Sequence, residues 1–336
     1  MRAWARSSSS GEAATTPIEP LAPVGLEEIR AARGRIAGSA IRTPLIRLAA
    51  DSPAEIFLKL ECLQPIGSFK IRGAGNAMAL ADPGTLERGV YTASAGNMAQ
   101  GVAWNARRLG IPCTVVVPDH APRAKLDAVE RLGGRVVPVP VDRWWQVLAE
   151  HGDPGIEGLF IHPFADRAVV AGNGTIGLEI FEDLPDADAV LVPWGGGGLS
   201  CGIASALRAL SPAAKTYACE VETAAPLSAS LAAGRPVAVD YAPSFVDGIG
   251  ARGLLAEIWP LATSVLAGAL VVTLPETAAA IRLLASRARV VAEGAGAVPV
   301  AAARSGRAGG RKIVCVVSGG NIDLDRFAAI LAEAPG

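Results

Sequence analysis

The sequence predicts an α/β protein whose sheets are mainly parallel and covered by helices on both faces. Three observations lead there. From about Leu26 onward, short β-branched runs alternate with longer helix-patterned stretches, as in repeated strand–helix units. Runs such as Thr114–Val117, Ala189–Val192 and Ile313–Val317 are apolar at every position rather than every second one, as strands buried on both faces are. Of the 336 residues, 51% are hydrophobic and 19% charged, so a large core is available.

Taken in order, Glu55–Lys59 reads as a strand and Ser68–Ala81 as a helix, with Ser68 as its N-cap. A strand at Gly89–Ala93, a helix at Asn97–Leu109 and a strand at Pro112–Val117 follow. Arg123–Leu132 is a helix, Arg135–Val139 a strand and Trp144–Glu150 a helix. Ala189–Pro193 (strand), Leu199–Leu210 (helix) and Thr216–Val221 (strand) repeat the alternation, and Lys312–Val317 (strand) leads to a closing helix, Asp323–Ala332. The 38 glycines and 24 prolines exceed ordinary usage, roughly 12% together, and predict many tight turns. The length allows about two domains at roughly 100–200 residues each, and no Gly/Ser linker divides the chain. The expected organisation is a small domain, residues 89–164, inserted in a large one, residues 21–88 and 165–336. Residues 1–20, with Ser7–Ser10, read as a flexible tail.

Composition also excludes. A formal charge of −1 leaves no electrostatic footprint for nucleic acid or an acidic membrane. The five cysteines (Cys62, Cys113, Cys201, Cys219, Cys315) are odd in number and lack metal-ligand spacing, which suits reduced core thiols of a cytoplasmic protein. His120, His151 and His162 are too scattered to argue a metal site, and none is expected. No apolar run approaches the 18 or so residues that would span a bilayer, and the first residues lack the apolar core of a signal peptide.

Four segments carry chemistry. Gly195, Gly196, Gly197 and Gly198 follow an apolar strand and precede a helix, so their peptide N–H groups can converge on one anion at a helix N-terminus. Without GxGxxG spacing or a Gly-Lys-Ser/Thr, a phosphate monoester fits better than a nucleotide. Lys70 lies among apolar Phe69, Ile71 and Ala74, where desolvation would lower its pKa and make the amine nucleophilic toward an aldehyde. Ser94-Ala95-Gly96-Asn97-Met98 forms a small-residue turn before a helix, able to cradle a carboxylate. Ser318-Gly319-Gly320-Asn321 lies at the end of a buried strand, where a polar side chain can face a ligand.

At this order and spacing the four segments resemble the fold-type II pyridoxal-phosphate enzymes, specifically the serine/threonine dehydratase family, over about Leu26 to Leu331. The lysine motif is matched by Ser68-Phe69-Lys70-Ile71-Arg72-Gly73-Ala74, the asparagine loop by Ser94–Gly101, the phosphate loop by Gly195–Gly198 with Leu199, and the ring-nitrogen motif by Ser318–Asn321. Supporting matches are His162-Pro163-Phe164, Gly172-Asn173-Gly174-Thr175, Val246-Asp247-Gly248 and Glu293-Gly294-Ala295-Gly296-Ala297.

The resemblance implies two parallel-sheet-based three-layer domains of the tryptophan synthase β-like kind, with pyridoxal 5′-phosphate between them. It implies Lys70 as the residue that forms an imine with the cofactor and shuttles the Cα proton. Gly195–Leu199 would hold the phosphate, Asn97 the 3′-oxygen and Ser318 the ring nitrogen, while Ser94, Ala95, Gly96, Asn97 and Met98 would hold the substrate carboxylate. The implied activity is a lyase reaction: an L-β-hydroxy amino acid of the serine/threonine type gives a 2-oxo acid and ammonia. A racemase of the family needs a serine where this chain has Ala95, so elimination is expected. Met98 stands where the family usually has histidine, and Trp194, Trp144 and Trp145 either pack the core or shape a pocket for a bulkier, phenylserine-type substrate. Glu220 matches one ligand of a divalent-cation site seen in some relatives, but the following Ala224-Ala225-Pro226 does not continue it. β-Replacement, a non-catalytic cofactor-binding regulator and a nucleotide-binding module are the alternatives. A homodimer with only small-molecule partners is the further expectation.

Overall fold

Strand burial in the computed structural model explains why the apolar runs are continuous. Residues 18–333 are described; residues 1–17, most of the expected tail, lie outside the described residues, as do 334–336. Strands β1 (Leu45–Arg47) and β2 (Glu55–Lys59) come first. Then β3 (Val90–Ala93), β4 (Cys113–Pro118), β5 (Arg135–Val139) and β6 (Leu159–Phe160) form an all-parallel sheet ordered β5-β4-β3-β6. The remaining strands β7 (Ala189–Pro193), β8 (Lys215–Val221), β9 (Gly268–Val272) and β10 (Lys312–Val316) join the first two in a six-stranded sheet ordered β1-β2-β10-β7-β8-β9. Only edge strand β1 is antiparallel.

Along β10, Ile313 and Cys315 pack against helices Leu274–Leu283 and Gly294–Arg304, while Val314 and Val316 pack against Arg167–Asp183 and Gly198–Leu210. In the smaller sheet, Val115 and Val117 face helices Lys70–Leu80 and Asn97–Leu109, and Val116 faces Val141–Ala149. Each buried aliphatic side chain is worth about 1.5–3 kcal/mol, so both faces of a strand must be apolar when both are covered. Both sheets are therefore three-layered, as the sequence predicts.

Two local readings change. The helix expected from Ser68 begins at Lys70, and its N-cap position is Phe69 with no side-chain cap. Ser68 is instead fully buried in an antiparallel bridge to Gly319, and Phe69 N–H donates to Ser318 O (3.0 Å), which commits this backbone to the neighbouring segment before the helix starts. The helix expected at Trp144–Glu150 starts earlier, at Val141 behind Pro140.

The 17-residue helix Arg167–Asp183 is not among the elements indicated by the sequence, and its Gly172, Gly174 and Gly177 lower helix propensity. The structure shows what they permit. A Cβ on Gly172 would lie 2.6 Å from Arg72 O, and one on Gly202 of the facing helix 2.4 Å from Val170 O. The helix thus touches both the lysine-bearing helix and the one behind the tetraglycine turn, and fixes their spacing.

Under the lysine-bearing helix lies a buried ionic lattice. Arg72 donates to Glu61 Oε1 and Oε2 (both 2.8 Å) and to Glu179 Oε1 and Oε2 (2.7 and 2.9 Å), while Lys59 Nζ donates to Glu179 Oε2 and Thr43 O (both 2.6 Å). Burial opposes ionisation of Glu61, but Arg72, Thr43 and Lys59 hold its carboxyl below the usual range.

Candidate active site

Strand ends and helix starts of both sheets meet around one cavity of about 480 Å³. Lys70, placed by the Ser68–Gly319 bridge, opens its helix there, and its Nζ donates to Pro163 O at 2.5 Å. Burial lowers the amine pKa to about 8, with Glu293 pulling the other way. The Pro163 carbonyl is set by His162, whose Nδ1 accepts from Phe164 N–H (3.2 Å) and Ala165 N–H (2.8 Å). With Nδ1 an acceptor, the imidazole proton is assigned to Nε2, and burial keeps the ring neutral.

Phe164 in turn explains the glycines. A Cβ on Gly196 would lie 2.1 Å from the Phe164 ring, and one on Gly198 2.6 Å from its carbonyl oxygen. Gly197 has φ +92°, a left-handed conformation, and caps the helix Gly198–Leu210. The first bond into that helix runs from Cys201 N–H to Gly197 O (2.9 Å), so the N–H groups of Gly198, Leu199 and Ser200 have no helical acceptor. They lie at the positive end of a 13-residue helix, an arrangement that can accept an anion.

On the opposite wall, Ser94 Oγ accepts from Gly96 N–H (3.2 Å) and Asn97 begins the helix Asn97–Leu109. Asn97 Nδ2 donates to Glu293 Oε1 (2.8 Å), and Asn321 Nδ2 donates to Asn97 Oδ1 (2.8 Å). Ser318, on the segment after β10, is buried at the cavity wall, 3% exposed.

Lys70, Ser94, Ala95, Gly96, Asn97, Met98, Gly195–Leu199 and Ser318 all border this cavity. Trp144 and Trp145 border it too. Trp194 does not: it is 1% exposed in a core with Leu227, Ile258 and Leu261, and its ring is what a Cβ on Gly197 would strike. Core packing is therefore its role, and it shapes the site only by demanding glycine at 197. Met98 is buried with Ala99 and Val102, so its position serves packing as well as the wall.

Glu293 and Asn321 are the residues that sequence reasoning passed over. Both lie in quoted motifs, but nothing in a linear pattern shows that they converge on Asn97. Glu220 spends both oxygens on the N–H groups of Leu227 and Ser228 (2.8 Å each). Burial raises its pKa to about 7 against those bonds. Among the described residues no group of three or more His, Cys, Asp or Glu gathers as an ion site, and no helix is long and apolar enough to cross a membrane.

Comparison with known proteins agrees with this geometry. The family described as pyridoxal-phosphate dependent enzyme matches residues 36–319. L-Threonine ammonia-lyase of Thermotoga maritima is 40% identical, over 92% of this chain and 78% of the relative. The catabolic L-threonine dehydratase of Staphylococcus aureus is 34% identical over 94% of each. Among solved structures, maize serine racemase superposes with a TM-score of 0.85 at 32% identity, covering 92% of this chain and 97% of that one. Threonine deaminase isoform 2 of Solanum lycopersicum gives 0.80 at 31%, covering 95% and 98%.

Proposed function

The chain belongs to the pyridoxal-phosphate-dependent enzyme family, and from that premise we propose that it is an ammonia-lyase converting an L-β-hydroxy amino acid of the serine/threonine type to a 2-oxo acid and ammonia. The observation that carries the proposal is the convergence of a desolvated amine, a side-chain-free turn at a helix N-terminus and a buried serine on one cavity. These match the aldehyde, phosphate and ring nitrogen of pyridoxal phosphate. The cofactor, when bound, supplies an aldehyde that condenses with amines and a ring that withdraws electrons from Cα.

The chain's own residues do the rest. Lys70 Nζ would hold the aldehyde end of the cofactor, and as an amine it is placed to carry a proton taken from Cα. The N–H groups of Gly198, Leu199 and Ser200 hold the phosphate. Ser318 would offer the ring nitrogen a neutral hydroxyl, which would favour ring protonation less than a carboxylate does. Ser94, Ala95, Gly96, Asn97 and Met98 hold the substrate carboxylate at a helix N-terminus, and the methyl of Ala95 cannot return a proton to the opposite face. A bulkier, phenylserine-type substrate is the second reading, favoured by Trp144 and Trp145 at the cavity wall.

Residues 89–164 form the small domain in this reading, which the location of β3–β6 between residues 90 and 160 supports. A cytoplasmic setting is supported by five free cysteines, four of them buried, and a homodimer by the family resemblance. Light scattering of the purified protein tests the dimer. Ammonia and 2-oxo acid release from L-serine, L-threonine and phenylserine tests the activity. Turnover of serine or threonine that vanishes in Lys70→Ala supports the first reading; turnover of the aryl substrate alone replaces it with the second. If borohydride leaves Lys70 unlabelled in holoprotein, both are wrong.

A further inference from the structure

Glu293 has no part in the roles above, yet it is buried at the cavity wall. It precedes the helix Gly294–Arg304, and its N–H donates to Gly319 O at 3.1 Å. A Cβ on Gly319 would sit 2.4 Å from Glu293 Oε1, so the glycine is what admits the carboxylate. Asn97 reaches Glu293 from the other sheet's side, its Nδ2 donating to Oε1 at 2.8 Å. The far end of the same amide accepts from Asn321 Nδ2 at 2.8 Å, and Asn321 is tied to the approach to Lys70 through Ile66 O (2.9 Å).

With an acceptor at one end and a donor at the other, the Asn97 amide has one orientation that satisfies both. Reversed, it would set oxygen against oxygen and nitrogen against nitrogen. One of the two Nδ2 hydrogens is engaged by Glu293, and the other remains for a ligand.

We propose that Glu293, backed by Asn321, is a positioning residue: it fixes which end of the Asn97 amide meets the cofactor, and gain or loss of its proton alters the hydrogen bonding that the bound cofactor feels. The proposal rests on the reading of Asn97 as a cofactor contact. Charge supports the geometry. Burial and nearby Asp247 push the Glu293 carboxyl up to about 7, while Asn97, Lys125 and Lys70 pull it down. The charged and titratable groups around it are Lys70 from the helix Lys70–Leu80, Asp247 from the turn Asp247–Ile249, Lys125 from the helix Arg123–Arg131, bonded to Asp247 at 2.5 Å, and Cys62 from the turn Glu61–Leu63. Burial pushes the Cys62 thiol up to about 12, and Lys70 is consumed by its link to the cofactor, which leaves Glu293 to respond near neutrality.

The test is the absorbance of bound cofactor, titrated across roughly two pH units either side of 7, in wild-type holoprotein, Glu293→Gln and Glu293→Leu. Glutamine keeps an acceptor for Asn97 but cannot titrate. We expect a wild-type spectral transition near pH 7, its loss in Glu293→Gln with cofactor affinity within about threefold, and about tenfold weaker cofactor binding in Glu293→Leu. Circular dichroism establishes that both variants are folded, and the Gln variant carries the test if the Leu variant is not. A wild-type spectrum flat through neutrality, or a Glu293→Gln transition like the wild type's, overturns the proposal. If wild-type protein forms no borohydride-stable link at Lys70, the proposed function falls and takes this inference with it; if it links and eliminates while Glu293→Gln behaves as wild type, only the role of Glu293 is lost.

Discussion

The Lys70 amine offers the sharpest quantitative prediction. Its pKa of about 8, against 10.5 for an ordinary lysine, comes chiefly from burial, with Glu293 opposing. At pH 7 an amine of pKa about 8 is roughly 10% neutral, whereas an unperturbed one is about 0.03% neutral, so the nucleophilic form is enriched by over two orders of magnitude. The perturbation is pH, applied to cofactor-stripped protein, and the assay is trace acylation followed by peptide mapping of residue 70. Labelling should rise with a midpoint near 8 and level off above it. Glu293→Gln should move the midpoint down, because the lost carboxylate favoured the ammonium. The same shift couples to folding. Between about pH 8 and 10.5 the unfolded chain holds a proton that the folded one has released, so stripped protein gains stability as pH rises through that window, by up to about 3 kcal/mol. Labelling that still climbs at pH 10 in folded protein would refute the argument that burial activates this amine.

Three further perturbations follow from contacts already described. Gly196→Val places a Cβ 2.1 Å from the Phe164 ring, which must swing away and distort the anion turn; cofactor affinity, measured by equilibrium titration, should fall at least tenfold. Arg72→Leu leaves Glu61 and Glu179 without their shared guanidinium and should lower stability by about 3–5 kcal/mol in denaturant titration, whereas Glu61→Gln added to it should restore part of the loss. Ala95→Ser sets a hydroxyl at the cavity wall, and a chiral assay should detect slow formation of the D-amino acid in the variant and none in the parent protein.

Much of the site was legible because its residues cluster in short segments. Glu55–Lys59, Asn97–Leu109, Arg135–Val139 and Ala189–Pro193 form with the bounds their patterns indicate, since apolar runs and small-residue starts are local signals. The helix Asn97–Leu109 also ends on Gly110 in the left-handed conformation, a stop that glycine serves without strain. Lys70, the tetraglycine turn and Ser318 could be singled out for the same reason: each carries its chemistry within a few residues.

What stayed hidden depends on partners distant in the chain. Ser68 looks like a helix cap until Gly319, some 250 residues later, takes its backbone into a bridge. Arg167–Asp183 carries no clear helix signal because glycine weakens an isolated helix, and only the close approach of the helices at Arg72 and Gly202 makes those glycines necessary. Trp194 could have lined a pocket or filled a core, and the helix packed over it decided for the core. Residue type and local spacing therefore determined the chemistry available to this protein. Tertiary structure decided which groups lose water and which meet across the two sheets, because burial and pairing are properties of neighbours that a linear pattern does not contain.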